Sequence, residues 1–199
     1  MDRAQVGRPR AFDAEAAVQK AMVVFWEQGY DGASLTELTE AMGISRKSMY
    51  AAFGNKEDLF RLALQRYTEG PGAYIVEALQ APTAREVATL FLLGSVRATT
   101  RPGFPAGCLG VQGALAVGAT GQVAHDTLAA WRALGQDYLR ERFKRAVEEG
   151  DLPADAEPEL IARFVMTIAN GMAVQAAGGA TREDLRRVAE LALRNWPPA

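Results

Sequence analysis

The segment ASLTELTEAMGISRKSMYAAF, residues 33–53, carries two helix starts and one glycine turn. Ser34-Leu-Thr-Glu37 is a capping box, in which the Ser and Glu side chains satisfy each other's orphan backbone N–H groups. That helix ends at Met42-Gly43, and Ser45 caps the next, which runs to Phe53-Gly54. Leu38, Met42, Ile44, Met49 and Ala52 are the apolar positions. A Gly at the centre of the turn lets two such helices pack at a steep angle, which is the spacing of a helix-turn-helix. The second helix turns Ser45, Arg46, Lys47, Ser48 and Ala51 outward, a set rich in base-edge and phosphate donors with no acid among them. The same spacing also occurs where two helices merely pack, so the flanks have to discriminate.

Gly7-Arg8-Pro9-Arg10 lies just before the first helix, where a short basic arm reaches a phosphate or a minor groove. Tyr50 lies just beyond the outward face. Lys56 opens a fourth helix, where its charge and the free N–H groups jointly favour a phosphate. Over residues 1–60 there are seven Lys+Arg against nine Asp+Glu. The region is not basic in bulk, so nucleic-acid binding rests on where a few cations sit.

Helix formers dominate the remaining sequence and no stretch alternates with period two, so the chain reads as all-α with about nine helices. Residues 1–55 read as a three-helix unit that carries the helix-turn-helix, and 56–199 as a larger helical unit. Of 199 residues one is Cys and one is His, and the formal net charge is -2. One Cys closes no intrachain disulfide, and one Cys with one His builds neither a zinc site nor a catalytic triad. The expectation is therefore no enzyme, no metal and no cofactor. The N-terminus has no apolar h-region, and polar residues such as Arg163 and Asn170 interrupt the most apolar run, which implies a soluble cytoplasmic protein with no membrane partner.

The run GRPRAFDAEAAVQKAMVVFWEQGYDGASLTELTEAMGISRKSMYAAFGNKEDLF resembles the N-terminal domain of tetracycline-repressor-like (TetR) regulators. The likeness is carried by Phe25, Gly29-Tyr30, Ser34, Leu38, Ala41, Gly43, Ile44, Tyr50, Phe53, Lys56 and Leu59. The segment PAGCLGVQGAL, residues 105–115, is similar to one found in a subset of them. Where many members have a Gly before Thr-Leu-Tyr in the recognition helix, this chain has Lys47 before Ser48-Met49-Tyr50. The resemblance implies that the third helix enters the major groove, with Arg46, Lys47 and Ser48 reaching bases or phosphates. It implies that Ser34, Thr36, Tyr50 and Lys56 hold phosphates, while Arg8 and Arg10 match only a general basic arm. It further implies a homodimer formed through the last two helices, about 157–177 and 181–196, on an inverted-repeat, double-stranded operator.

A ligand-responsive repressor follows, released by a small effector of unknown identity. The residues expected around an effector are Phe91, Leu92, Phe104, Cys108, Val111, Gln112, Trp131, Leu134, Tyr138, Met166 and Asn170, though cores share this composition. Cys108 at a helix start, with Arg101 nearby in sequence, is either a reactive sensor thiol or a small buried hydrophobe. His125 falls on the surface of the long helix without a role. A helical scaffold without DNA binding is the remaining alternative, but it has no need for Arg46-Lys47 together with Tyr50 and Lys56.

Overall fold

A computed structural model describes residues 12–112, 121–194 and 196–197. The regular elements among them are ten helices. The sequence suggests about nine helices, and the short α5 and α7 defined below are among the runs that it reads as helical. Residues Arg8 and Arg10 of the basic arm lie outside the described residues.

Local capping sets the boundaries in the N-terminal third. Helix α1 (Ala14–Gly32) starts at Asp13, whose carboxylate accepts from the Ala16 N–H at 3.1 Å. Gly29 has φ 71 and kinks this helix, where a glycine in the sequence reads as a stop, and the chain then turns on to Gly32. Helix α2 (Leu35–Met42) begins at the Ser34–Glu37 capping box, with bonds of 3.2 and 2.9 Å. Gly43 closes it in the left-handed region, φ 71 and ψ 32, which costs a residue with a Cβ about 1–2 kcal/mol. Ser45 then caps α3 (Arg46–Phe53), and a reciprocal Asn55–Asp58 box opens α4 (Lys56–Glu69).

Beyond it come α5 (Tyr74–Leu79), α6 (Ala84–Thr99), α7 (Leu109–Gln112), α8 (Gln122–Glu148), α9 (Pro158–Ala177) and α10 (Arg182–Arg194). The sequence reads as helical from Cys108 to Val117, and the part of that run beyond Gln112 lies outside the described residues. A Thr83–Glu86 capping box, legible as Thr83-Ala-Arg-Glu86, opens α6. Arg142 on α8 is buried, and its Nη2 donates to the carbonyls of Ala81 and Pro82, which ties the α5–α6 loop to α8.

Two apolar clusters fill the interior. One joins α5, α6, α8, α9 and α10 through side chains such as Phe91, Leu139, Phe143, Val165 and Leu185. The other joins α1 to α4 through Met22, Phe25, Leu38, Met49, Leu59 and Phe60, with Phe25 and Phe60 edge-on at 5.1 Å. Each fully buried Leu, Phe or Met contributes about 1.5–3 kcal/mol. This second cluster does not stop at residue 55. It runs along α4 to Tyr67 and on to Cys108, Leu109, Val111, Leu128 and Ala173. The helix-turn-helix and the rest of the molecule thus share buried side chains.

Helix α9 corrects one expectation. Its 20 residues reach a mean hydropathy of 1.3 over the most apolar window, long and apolar enough to cross a membrane by composition. Core helices pass the same test. Here Ile161, Ala162, Val165, Ala169 and Met172 pack inward against α6, α8 and α10.

Candidate nucleic-acid interface and internal cavity

Helix α3 is amphipathic across its short length. Met49 and Phe53 are buried, while Arg46, Lys47 and Tyr50 are exposed, Tyr50 by 49%. The Arg46 Nη2 donates to the Thr36 Oγ1 at 2.6 Å, which joins α3 to α2. A guanidinium has five N–H donors, so this bond orients Arg46 and leaves donors for a base or phosphate. Ser48 Oγ lies 2.9 Å from Ser45 Oγ inside the N-cap. Ser34 Oγ accepts from the Glu37 N–H, and the Ser34 side chain also bonds the Glu37 carboxylate, which lowers that carboxyl's pKa. Lys47 is exposed and makes no ion pair among the described residues. No carboxylate sits on α3.

Lys56 is placed differently from this group. Its Nζ lies 4.4 Å above the Tyr30 ring, packing the start of α4 onto the kinked end of α1. Burial lowers its pKa, and the negative charge of Asp31 opposes that shift. The ammonium is at the helix N-terminus as expected, but it shares that terminus with Glu57 and Asp58.

A cavity of about 250 Å³ lies between α4, α5, α6, α7, α8 and α9. Of the residues named from the sequence as candidate effector contacts, Phe91, Cys108, Val111, Trp131, Leu134, Tyr138, Met166 and Asn170 line it. Three other expected residues do not. Leu92 is buried in the C-terminal core. Phe104 turns toward the N-terminal core, 6.0 Å from Trp26, with the Arg101 guanidinium 4.5 Å over its ring. Gln112 folds back, its Nε2 donating to the Ala106 carbonyl at 3.1 Å. In each case packing or a backbone carbonyl claims the side chain before the cavity does.

Sequence reasoning missed Tyr74, Ser95 and Arg132 in the cavity wall. One signal was available. A Cβ on Gly94 would come within 2.6 Å of the Tyr74 ring, and a lone Gly inside an apolar helix often marks such an approach. Trp131 Nε1 donates to Thr68 Oγ1 at 2.9 Å, which ties α8 to α4 beside the cavity.

Residues 17–63 match the model of the bacterial regulatory proteins of the tetR family. Residues 90–192 match the tetracycline-repressor-like C-terminal domain. The chain belongs to the tetR family of bacterial regulatory proteins. It is a DNA-binding transcriptional regulator. This tetR-family chain is 31% identical over 193 residues to the HTH-type transcriptional repressor ComR of Escherichia coli, covering 96% of itself and 92% of ComR. It is 27% identical over 191 residues to the repressor BdcR of the same organism, covering 94% and 90%. Among solved structures it superposes with a TM-score of 0.90 and 46% identity on a cysteine variant of the regulator CifR complexed with 26-base-pair operator DNA, over 96% of this chain and 100% of that one. A putative TetR regulator of a Rhodococcus species gives 43% identity and a TM-score of 0.64, over 92% and 98%.

Burial of Cys108 in this tetR-family regulator works against the thiol activation that a helix start suggests, because it raises the pKa. The hydroxyl of Tyr67, donating to Sγ at 3.2 Å, the N–H groups of Gly110 and Val111 and the charge of Arg132 pull the other way without winning. The guanidinium beside it is that of Arg132, while Arg101 stacks on Phe104. His125, on the first turn of α8, is half-buried, with Nδ1 3.3 Å from an Asp126 oxygen.

Proposed function

We propose that this regulator is a repressor that binds an inverted-repeat operator as a homodimer and leaves it when a small molecule fills the cavity. The observation that carries the DNA contact is the carboxylate-free face of α3. There Arg46 is braced by Thr36, and Lys47 and Tyr50 stand free of the core. Arg46, Lys47 and Ser48 reach bases or phosphates in the major groove, and Ser34, Thr36, Tyr50 and Lys56 hold the backbone. The operator complex of CifR, whose fold this chain shares, supports that docking. Two recognition helices fit half-sites about 34–36 Å apart.

The dimer forms through α9 and α10. Leu160, Thr167, Gly171 and Val174 are exposed along one side of α9, half-buried Phe164 and Ile168 lie between them, and Val188 and Leu191 are exposed on α10. Spacings of three and four residues put the α9 set on one stripe. Release works through α4, whose Tyr67 packs against Trp26 of α1 at 4.9 Å and Trp131 of the cavity wall at 6.0 Å. A ligand that favours a shifted Trp131 shifts α4, and with it the spacing of the two α3 helices. Coupling of about 1–3 kcal/mol is sufficient for such a switch. The regulator acts in the cytoplasm, where the operator is.

Anisotropy titrations against an operator duplex, run across salt concentrations, test the DNA face. Arg46→Ala and Lys47→Ala should each weaken binding, by about 1–3 kcal/mol where a base is lost. Where a phosphate contact is lost, the log–log salt slope should fall by about one. Unchanged affinity and slope in both variants would remove α3 as the reading element.

A further inference from the structure

The cavity has one feature that its expected lining did not include, and it bears on the kind of molecule that fits. The walls are mostly apolar, from Ile75, Phe91, Met166 and Ala173 with the Trp131 ring, which selects an apolar ligand body. Into the same wall α8 brings Arg132, half-buried. Its Nη1 donates to the Gly110 carbonyl at 2.5 Å. No carboxylate pairs with it, and no acceptor takes its Nε or Nη2, among the described residues. Residues 113–120, GALAVGAT, supply no Asp or Glu either. A guanidinium partly out of water without a counter-charge is costly, and the planar fork of donors matches a carboxylate in a bidentate bond.

Resting on the reading of this cavity as the effector site, we propose that its ligand is a compact apolar acid, a single aromatic ring or a body of similar size bearing one carboxylate, with the carboxylate on Arg132. A volume of about 250 Å³ falls below the ~300–1,000 Å³ usual for drug-sized ligands, which suits a body of about one ring. A phosphate monoester fits less well, because a single Arg in an apolar wall leaves much of its charge unpaired. Asn170 and Tyr138, wall residues whose side chains make no hydrogen bond among the described residues, offer further contacts that fix orientation.

Titration calorimetry with benzoate, phenylacetate and cinnamate, against benzamide and phenylacetamide as uncharged shapes, tests the assignment on the full chain. The acids should bind at least about tenfold more tightly than the amides, the effect of a hydrogen bond to a charged group. Arg132→Gln should erase that preference, and Arg132→Lys should keep part of it as a point charge. Amides binding as well as acids, acids binding Arg132→Gln unchanged, or no binding of any acid would overturn the proposal. If Arg132→Gln fails to fold, the acid–amide comparison on the unaltered chain decides alone. Operator affinity is measured in the same samples. Acids that bind through Arg132 but leave operator affinity unchanged uphold the ligand chemistry and remove the effector reading instead.

Discussion

The side chains that matter most here are held by a neighbour before any ligand arrives. Arg46 is braced by Thr36, and Lys56 lies over Tyr30. Cys108 receives the Tyr67 hydroxyl. The last case shows how two effects at one atom are weighed. N–H groups at the start of α7 and the charge of Arg132 favour a thiolate, while burial disfavours it, and burial is the larger. With its pKa above the ordinary 9.0, Cys108 remains a thiol at neutral pH. Iodoacetamide should therefore modify the native protein at pH about 7 more slowly than it modifies a free cysteine. Denaturant should restore the ordinary rate. Mass spectrometry of timed samples reads both, and native labelling as fast as that of a free thiol would mean an accessible, activated sulfur. Tyr67→Phe isolates the share of the effect due to the hydroxyl.

Helix ends were legible from sequence because capping is local. Ser34 with Glu37, Asn55 with Asp58 and Thr83 with Glu86 sit three residues apart, so both partners of each bond lie within one short stretch of sequence. The cavity was less legible, since six helices distant in sequence build it. Apolar residues expected there fell correctly where they lay on an inward stripe, as Phe91 and Met166 do. Phe104 and Gln112 sit in and beside a loop, where a neighbour chosen by tertiary packing decides direction. Arg132 escaped because a charged residue on a long helix reads as solvated. At the element scale the sharpest prediction concerns Gly54, which joins α3 to α4 at φ 76 and ψ -142. A Cβ there would lie 2.5 Å from Asp58 Oδ2, the oxygen that completes the α4 capping box. Gly54→Ala thus meets both backbone strain and a clash, and should cost about 1–3 kcal/mol in urea unfolding. Gly43→Ala meets open space at φ 71 and should cost only the backbone strain, about 1–2 kcal/mol. Equal losses for the two would mean that Asp58 moves aside freely.

For the whole molecule, one buried cluster crosses from the helix-turn-helix into the cavity wall, so the proposed operator, dimer and cavity functions would act on a single packed body. The proposed dimer face can be broken without touching that cluster. Val174→Glu with Leu191→Glu places charge on exposed positions of α9 and α10, so sedimentation should show monomers that keep their helicity and lose the operator. Dimers that survive the pair would put the contact elsewhere. The junction itself has an alkaline signature. Tyr67, Tyr74 and Cys108 all have raised pKa values, burial being the largest cause for each. Above the ordinary values of 9.0 for the thiol and 10.0 for the phenols, the unfolded chain releases protons that the native state retains. Unfolded protein then binds fewer protons than native protein, so stability falls as pH rises. The contribution is fully present below those ordinary values and is lost as pH climbs from them toward the raised ones. Thermal unfolding between pH about 8 and about 11 should show the midpoint falling. Tyr67→Phe removes one of the three protons and should make the decline shallower. An unchanged slope in that variant would show that Tyr67 ionises as readily in the folded protein as in the unfolded chain, and that the junction is wetter than its packing implies.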